Sequence, residues 1–284
     1  MKLSSYRVKE GEQVSFSNYP TSEKQEISEA ELREKRIPKS VETLQELHWR
    51  LHAEEKNGVL VILQAIDAAG KDEAISYIFS NLNAQGLRTI SVKKPSDTEQ
   101  KHDYLWRIHE GLPEKGEVGI LNRSYYEEVI APRIHDLLEE EEKPDDGDVW
   151  QMRYRQINDF ERYLVENGFR VVKFLFHVSK EEQRQRLLTR LKDPTKNFEF
   201  SFSDIEERKH WDEYHEIFAE LVSATSTSYA PWYILPADDE WYSRYIVTEV
   251  MNDVLKEIDP QYPKLSEEDQ EQLDEAIKRL EEEA

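Results

Sequence analysis

Short apolar segments alternate with amphipathic segments along most of this chain. Between the apolar segments, hydrophobic residues recur every three or four positions, which is typical of helices that bury one face. Strands that alternate with helices usually form a parallel sheet covered on both faces. We therefore predict an α/β fold, a three-layer α/β/α sandwich whose five parallel strands are residues 59–63, 89–92, 116–121, 169–177 and 233–235.

The flanking segments differ from this alternating part. Residues 1–40 are polar with few apolar anchors, and we predict an arm that packs on the body or on a partner subunit. Residues 41–258 form the predicted central domain, and residues 259–284 an acidic C-terminal helix that follows two prolines. Within the central domain we predict helices at residues 41–56, 99–110, 124–135, 150–167, 180–191, 204–224 and 241–258.

The loop after the first strand has the parts of a phosphate-binding P-loop. In such a loop, backbone N–H groups and a helix N-terminus hold phosphate oxygens while a lysine adds positive charge. The pattern is imperfect, because Ala65 stands where the first glycine is expected and Asp72 where a serine or threonine would bind Mg²⁺. An ordinary strand-to-helix turn with a solvated lysine is the alternative. The candidate phosphate-binding residues here are Asp67, Ala68, Ala69, Gly70, Lys71 and Asp72.

Polar residues also follow the second and third strands, at the edge where parallel sheets bind ligands. Lys93 and Lys94 follow the second strand, and with Arg107 they could extend a phosphate track. Asn122 ends the third strand, and Arg123 beside it could hold a phosphate with two hydrogen bonds.

Three carboxylates are candidates for binding Mg²⁺. Asp67 would repel phosphates unless a cation lies between them, although it could instead brace the loop by accepting backbone N–H groups. Glu127 completes a capping box with Ser124, which makes Glu128 the better metal candidate. Arg133, further along, is either a phosphate ligand or a member of an ion pair.

A basic stretch follows the fourth strand. We predict that residues 184–203 form a mobile lid whose charges stabilise transferring phosphates. A solvated helix face balanced by neighbouring acids is the alternative. The candidate lid residues are Arg184, Arg190, Lys192 and Lys196.

Composition narrows the class of protein. The net charge of −22 argues against non-specific binding of nucleic acid. There are no cysteines, which excludes disulfides and zinc-thiolate sites. We find neither an apolar run long enough for a membrane span nor an apolar signal core, and so we expect a cytoplasmic protein without membrane contact.

Seven segments form a combined pattern along the chain, namely residues 67–72, 94–95, 102–109, 122–129, 156–161, 190–201 and 224–233. Together they resemble the family-2 polyphosphate kinases over roughly residues 40–258. The Asn122-Arg123-Ser124 form is similar to that of the class that phosphorylates both nucleoside mono- and diphosphates.

The resemblance implies a P-loop kinase fold and reversible, Mg²⁺-dependent phosphoryl transfer between inorganic polyphosphate and nucleotides. It also implies a homo-oligomer. Two residues depart from the family pattern, because Glu73 follows the loop where a small residue is usual and Glu199 lies where the lid usually carries a base. Both should weaken the attraction of phosphate.

Two other functions stay open at this point. One is an ATP-dependent nucleotide kinase of the same fold, because such an enzyme would also need a basic lid. The other is a non-catalytic protein that binds nucleotide or polyphosphate, which the departures at Ala65, Glu73, Asn122 and Glu199 favour.

Overall fold

A five-stranded parallel sheet forms the centre of the protein. The computed structural model describes residues 2–23, 27–92, 95–138, 143–144 and 147–283. The order across the sheet is β2-β3-β1-β4-β5, and all neighbouring strands are parallel. The predicted α/β fold with five parallel strands is confirmed. The strands are β1 (Gly58–Gln64), β2 (Leu87–Ser91), β3 (Val118–Asn122), β4 (Phe169–His177) and β5 (Trp232–Pro236).

Helices cover both sides of this sheet. In chain order they are α1 (Glu29–Glu31), α2 (Ile37–Glu54), α3 (Lys71–Phe79), α4 (Trp106–His109), α5 (Glu127–His135), α6 (Val149–Glu166), α7 (Lys180–Lys192), α8 (Ser203–Glu207), α9 (Trp211–Thr225), α10 (Glu240–Ile258) and α11 (Glu267–Glu282). Helices α2, α3 and α10 pack together, and α5, α6 and α9 form a second group. In the described ranges, no helix is long and apolar enough to cross a membrane.

Two predicted helices are interrupted. The segment 99–110 contains only a short 3-10 turn and the four-residue α4, because the Asp103 side chain accepts from the Leu105 N–H at 3.1 Å and competes with helical hydrogen bonding. The segment 204–224 is split by a 3-10 turn at Arg208–His210, after which α9 begins at the buried Trp211.

The end of α2 also differs from the prediction. We predicted that it runs to residue 56, but it ends at Glu54 and is followed by the left-handed Glu55, with φ of 54°. Gly58 begins β1, where a Cβ atom would lie 2.5 Å from the Phe169 ring. The glycine is therefore required by close packing between β1 and β4.

The N-terminal arm packs along β5, which lies at one edge of the sheet. The Val8 N–H donates to the Trp232 carbonyl, and the Ile234 N–H donates to the Tyr6 carbonyl, both at 2.9 Å. Tyr6 and Val8 are both buried, and the burial of Val8 was not predicted from the sequence pattern. By contrast, every described residue of α11 is exposed.

A charged pair is buried in the middle of the fold. Lys173 of β4 donates to Glu161 of α6 at 2.5 Å, and neither side chain is exposed. Two phenol groups, those of Tyr125 and Tyr126, donate to the same carboxylate at 2.8 Å. Lys173 also donates to the Thr225 carbonyl at 2.7 Å. This network fixes the segment between β3 and α5 to the sheet.

Candidate active site

The loop between β1 and α3 lies at the carboxyl end of the central strand. Gly70, with φ of 97°, stands immediately before α3 and has no side chain with which to cap the first N–H groups of that helix. Ala68 is also left-handed, with φ of 58°, which is uncommon for a residue with a Cβ. The uncapped N–H groups and the helix dipole make this end of α3 suitable for an anion.

Two side chains of α7 hold the loop in place. Gln183 is buried and donates to the Asp67 carbonyl at 2.8 Å. Arg186 donates to the Ala68 carbonyl at 3.4 Å and to the Ala237 carbonyl at 2.7 Å. We did not predict a role for Gln183, because a glutamine in a polar helix pattern is typical of the surface.

Lys71 is the first residue of α3 and is only 6% exposed. Its ammonium group donates to the carbonyls of Ala65 at 3.3 Å and Ile66 at 3.5 Å. Burial lowers the pKa of this amine, and the nearby Asp67 carboxylate partly opposes that effect. Lys71 forms no ion pair with a carboxylate of the described residues, and so its charge is suited to an anionic ligand.

The end of β3 faces the same loop. Arg123 forms an ion pair with Asp67, and the Asn122 amide donates to the Asp72 carboxylate at 2.5 Å. Arg123 is left-handed, with φ of 61°. Backbone strain of this kind concentrates at functional sites, because the surrounding structure must hold it.

The two glutamates after β3 have different partners. Glu127 accepts from the Gln64 amide at 2.5 Å, and burial raises the pKa of its carboxyl while Arg123 opposes the rise. The predicted capping box is wrong, because α5 begins at Glu127 and the Ser124 hydroxyl accepts from the Tyr126 N–H. Glu128 forms an ion pair with Arg107, whose side chain is 8% exposed.

A polar cavity of about 320 Å³ opens between these segments. It is lined by nine of the residues predicted from the sequence, together with four that were not predicted as ligands. The nine are Asp67, Ala68, Ala69, Gly70, Lys71, Asp72, Asn122, Arg123 and Arg190, and the four are Glu73, Ser91, Glu199 and Asp204. Asp204 gave no signal beyond its place at the start of a predicted helix, and burial raises the pKa of its carboxyl.

Other predicted residues do not line this cavity. Arg133 pairs with Glu220 and donates to the Tyr154 hydroxyl, both at 2.8 Å. Arg184 pairs with Glu181 on an exposed face of α7. Among the four predicted lid bases, Arg190 lines the cavity. The other three do not, namely Arg184, Lys192 and Lys196. The predicted residues Lys93 and Lys94 lie outside the described part of the chain.

The same cavity contains carboxylates that could contribute to a Mg²⁺ site. Within the described ranges, no three His, Asp or Glu side chains are close enough to hold a metal ion by themselves. Mg²⁺ is commonly held by one or two carboxylates together with substrate phosphates and waters. The Asp67 and Asp72 carboxylates line the cavity and fit that arrangement, whereas Glu127 and Glu128 are not part of the lining.

Comparison with protein families identifies what the chain is similar to. The model of the family described as polyphosphate kinase 2 matches residues 26–263. An ADP-polyphosphate phosphotransferase of Rhodopseudomonas palustris is 42% identical over 268 residues, which are 93% of each chain. An AMP/ADP-polyphosphate phosphotransferase of Meiothermus ruber is 43% identical over 227 residues, covering 80% of this chain and 81% of the relative.

A solved structure has the same fold. The crystal structure of polyphosphate kinase 2 from Arthrobacter aurescens TC1 superimposes with a TM-score of 0.85 at 34% identity. The match covers 92% of this chain and 91% of that one. These comparisons confirm the resemblance found in the sequence, whereas the roles of the individual site residues stay predictions.

Proposed function

The chain belongs to the polyphosphate kinase 2 family, and from this membership we propose that it transfers phosphoryl groups between inorganic polyphosphate and nucleoside mono- and diphosphates. The observation that carries the proposal is Lys71. This buried ammonium group has no carboxylate partner among the described residues, and it lines a polar cavity. A site built in this way is suited to a polyanion.

Phosphoryl transfer requires little covalent chemistry from the protein. The negative charge spreads over the oxygens of the transferring group, so positioning and charge stabilisation supply most of the acceleration. In our proposal, Lys71 and the N–H groups at the start of α3 hold that group. Arg123 and Arg190, which also line the cavity, contribute guanidinium groups.

Arg123 is paired with Asp67, and it can exchange this partner for a phosphate when the substrate binds. A guanidinium group can form two parallel hydrogen bonds with a phosphate, whereas Arg123 makes a single contact with the Asp67 carboxylate. Asp67 would then be released to face a cation. We propose that Mg²⁺ is held by Asp67 together with the substrate phosphates, and that when bound it neutralises charge on the oxygens.

A single assay identifies both the nucleotide that accepts the phosphoryl group and the donor that supplies it. ATP formation is measured from ADP, and ADP formation from AMP, with long-chain polyphosphate as the sole donor, in the presence of Mg²⁺ and after its removal by chelation. We expect product with polyphosphate and Mg²⁺ and little product without the metal. Transfer that requires ATP as the donor would indicate an ordinary nucleotide kinase. Binding of polyphosphate without transfer to any nucleotide would indicate a binding protein.

A further inference from the structure

Two glutamates that depart from the family pattern meet at one arginine. Arg190 of α7 lies 3.4 Å from Glu73 of α3, measured from Nη2 to Oε1. It lies equally far from Glu199 in the following loop, measured from Nε to Oε2. The Arg190 side chain is 14% exposed, so both contacts lie in a largely desolvated place. We call these three residues the Arg190 cluster.

The Arg190 cluster separates two cavities. On one side is the polar cavity of the β1–α3 loop, of about 320 Å³. On the other side is a cavity of about 1080 Å³ between α2, α3 and the loop after α7, with Tyr77 and Phe198 in its wall. All three residues of the cluster line both cavities. An extended anion that occupies both cavities would therefore pass Arg190.

The contacts within the cluster are incomplete. Both ion pairs are 3.4 Å long, which is beyond the usual length of a charge-assisted hydrogen bond. In addition, Oε2 of Glu73 is buried and has no hydrogen-bond partner among the described residues. A buried carboxylate oxygen without a partner destabilises the arrangement that contains it. The cluster is thus held less tightly than a fully paired one.

We propose that Glu73 and Glu199 are specificity-determining residues that compete with the phosphate chain for Arg190. This inference rests on the proposed function. A phosphate chain that contacts Arg190 must displace both carboxylates and approach their negative charge. Every donor places its transferring group at Lys71, but only a long chain continues past Arg190 into the larger cavity and gains contacts there that offset this displacement. The two glutamates therefore disfavour short phosphates more strongly than long ones.

The test uses the variants Glu73→Gln, Glu199→Gln and the double variant. Glutamine keeps the shape of the side chain and removes its charge. The KM and kcat for tripolyphosphate and for long-chain polyphosphate are measured at saturating ADP. We expect each substitution to lower the KM for tripolyphosphate by about two- to fivefold, which is the range for a partly exposed ion pair. The KM for the long chain should fall less.

A matched control is Glu206→Gln. Glu206 forms an exposed ion pair with Lys209, and so the substitution makes the same change of net charge away from the Arg190 cluster. Its KM values should equal those of the unmodified protein. Arg190→Gln supplies a second control, because competition for the arginine predicts that each glutamate substitution changes the KM for tripolyphosphate by a different factor in this background than in the unmodified protein.

Direct binding separates this inference from the proposed function. Calorimetric titration with tripolyphosphate in the absence of nucleotide measures affinity whether or not transfer occurs. If the unmodified protein shows no transfer, the proposed function fails, yet the glutamine variants should still bind tripolyphosphate more tightly. Unchanged or weaker binding by both variants, or an equal gain in the Glu206→Gln control, would overturn the role of the Arg190 cluster.

Discussion

Replacing Lys173 by methionine should destabilise the protein strongly. Methionine has a similar length, so the main change is the loss of the cation that faces Glu161. Neither side chain of this pair is exposed. Removing one partner of a buried ion pair usually costs about 3–5 kcal/mol, because a charge is left without compensation in a region of low polarity.

The structure indicates where in that range the value should fall. Glu161 keeps two hydrogen bonds from Tyr125 and Tyr126 after the substitution, and these partly stabilise its charge. We therefore expect a loss of about 3 kcal/mol, at the lower end for a buried pair. For a chain of this size, such a loss lowers the melting temperature by roughly 6–12 °C.

The assay is equilibrium unfolding in urea, followed by circular dichroism. The double variant Lys173→Met/Glu161→Gln should recover more than half of the lost free energy, because it no longer buries an isolated charge. The control Lys209→Met breaks an exposed ion pair with Glu206 and should change the free energy of unfolding by less than about 0.5 kcal/mol. A loss below about 1 kcal/mol for Lys173→Met, or a double variant no more stable than the single one, would refute the reasoning.

Two further predictions concern the loop and a buried histidine. Lys71→Ala should lower kcat for polyphosphate-dependent ATP formation by about 10²- to 10³-fold. The melting temperature of this variant should be maintained, because burial already disfavours the charged amine. Near-normal turnover would contradict the assignment of Lys71 to the site. Lys209→Ala, which removes an exposed lysine, is the control. His177, whose Nδ1 lies 2.9 Å from the Tyr19 carbonyl, has its pKa lowered by burial from 6.5 to about 4. Because the unfolded chain binds the proton more tightly, this group should lower the free energy of unfolding by about 3 kcal/mol as the pH falls from 6.5 to 4. Urea unfolding of His177→Asn across that range should show a correspondingly smaller loss, and an unchanged pH dependence would contradict the assignment.

The central strands could be predicted because their sequence pattern is strong. The segment 169–177 was predicted with the bounds that β4 has in the structure, since apolar residues occupy most of it. Lys173 interrupts that run, and the pattern does not reveal that Glu161, twelve positions earlier, pairs with it. Contacts between side chains on different elements depend on the register of packing, which periodicity does not specify.

The same limit applies to the candidate site. The loop at 67–72 and the residues after β3 could be brought together from the sequence, because parallel strands end at a common edge. Gln183 and Asp204 could not be predicted as site residues. Gln183 contacts the loop, and Asp204 lines the cavity, only because of how their helices pack in the folded protein. Glu128 had been the better metal candidate on grounds of spacing, yet its carboxylate faces Arg107. Spacing along a helix sets the direction of a side chain but not the partner that it meets.

Pairing of the arm with β5 has a consequence for synthesis. The Ser226 hydroxyl donates to the Val8 carbonyl across a separation of 218 residues. At a translation rate of about 5–20 residues per second, the arm leaves the ribosome roughly 10–45 s before this partner is made. During that time Tyr6 and Val8 must stay solvated or bind elsewhere. The arm is synthesised before every strand of the sheet, yet it can cover the sheet edge at β5 only after that last strand has been made.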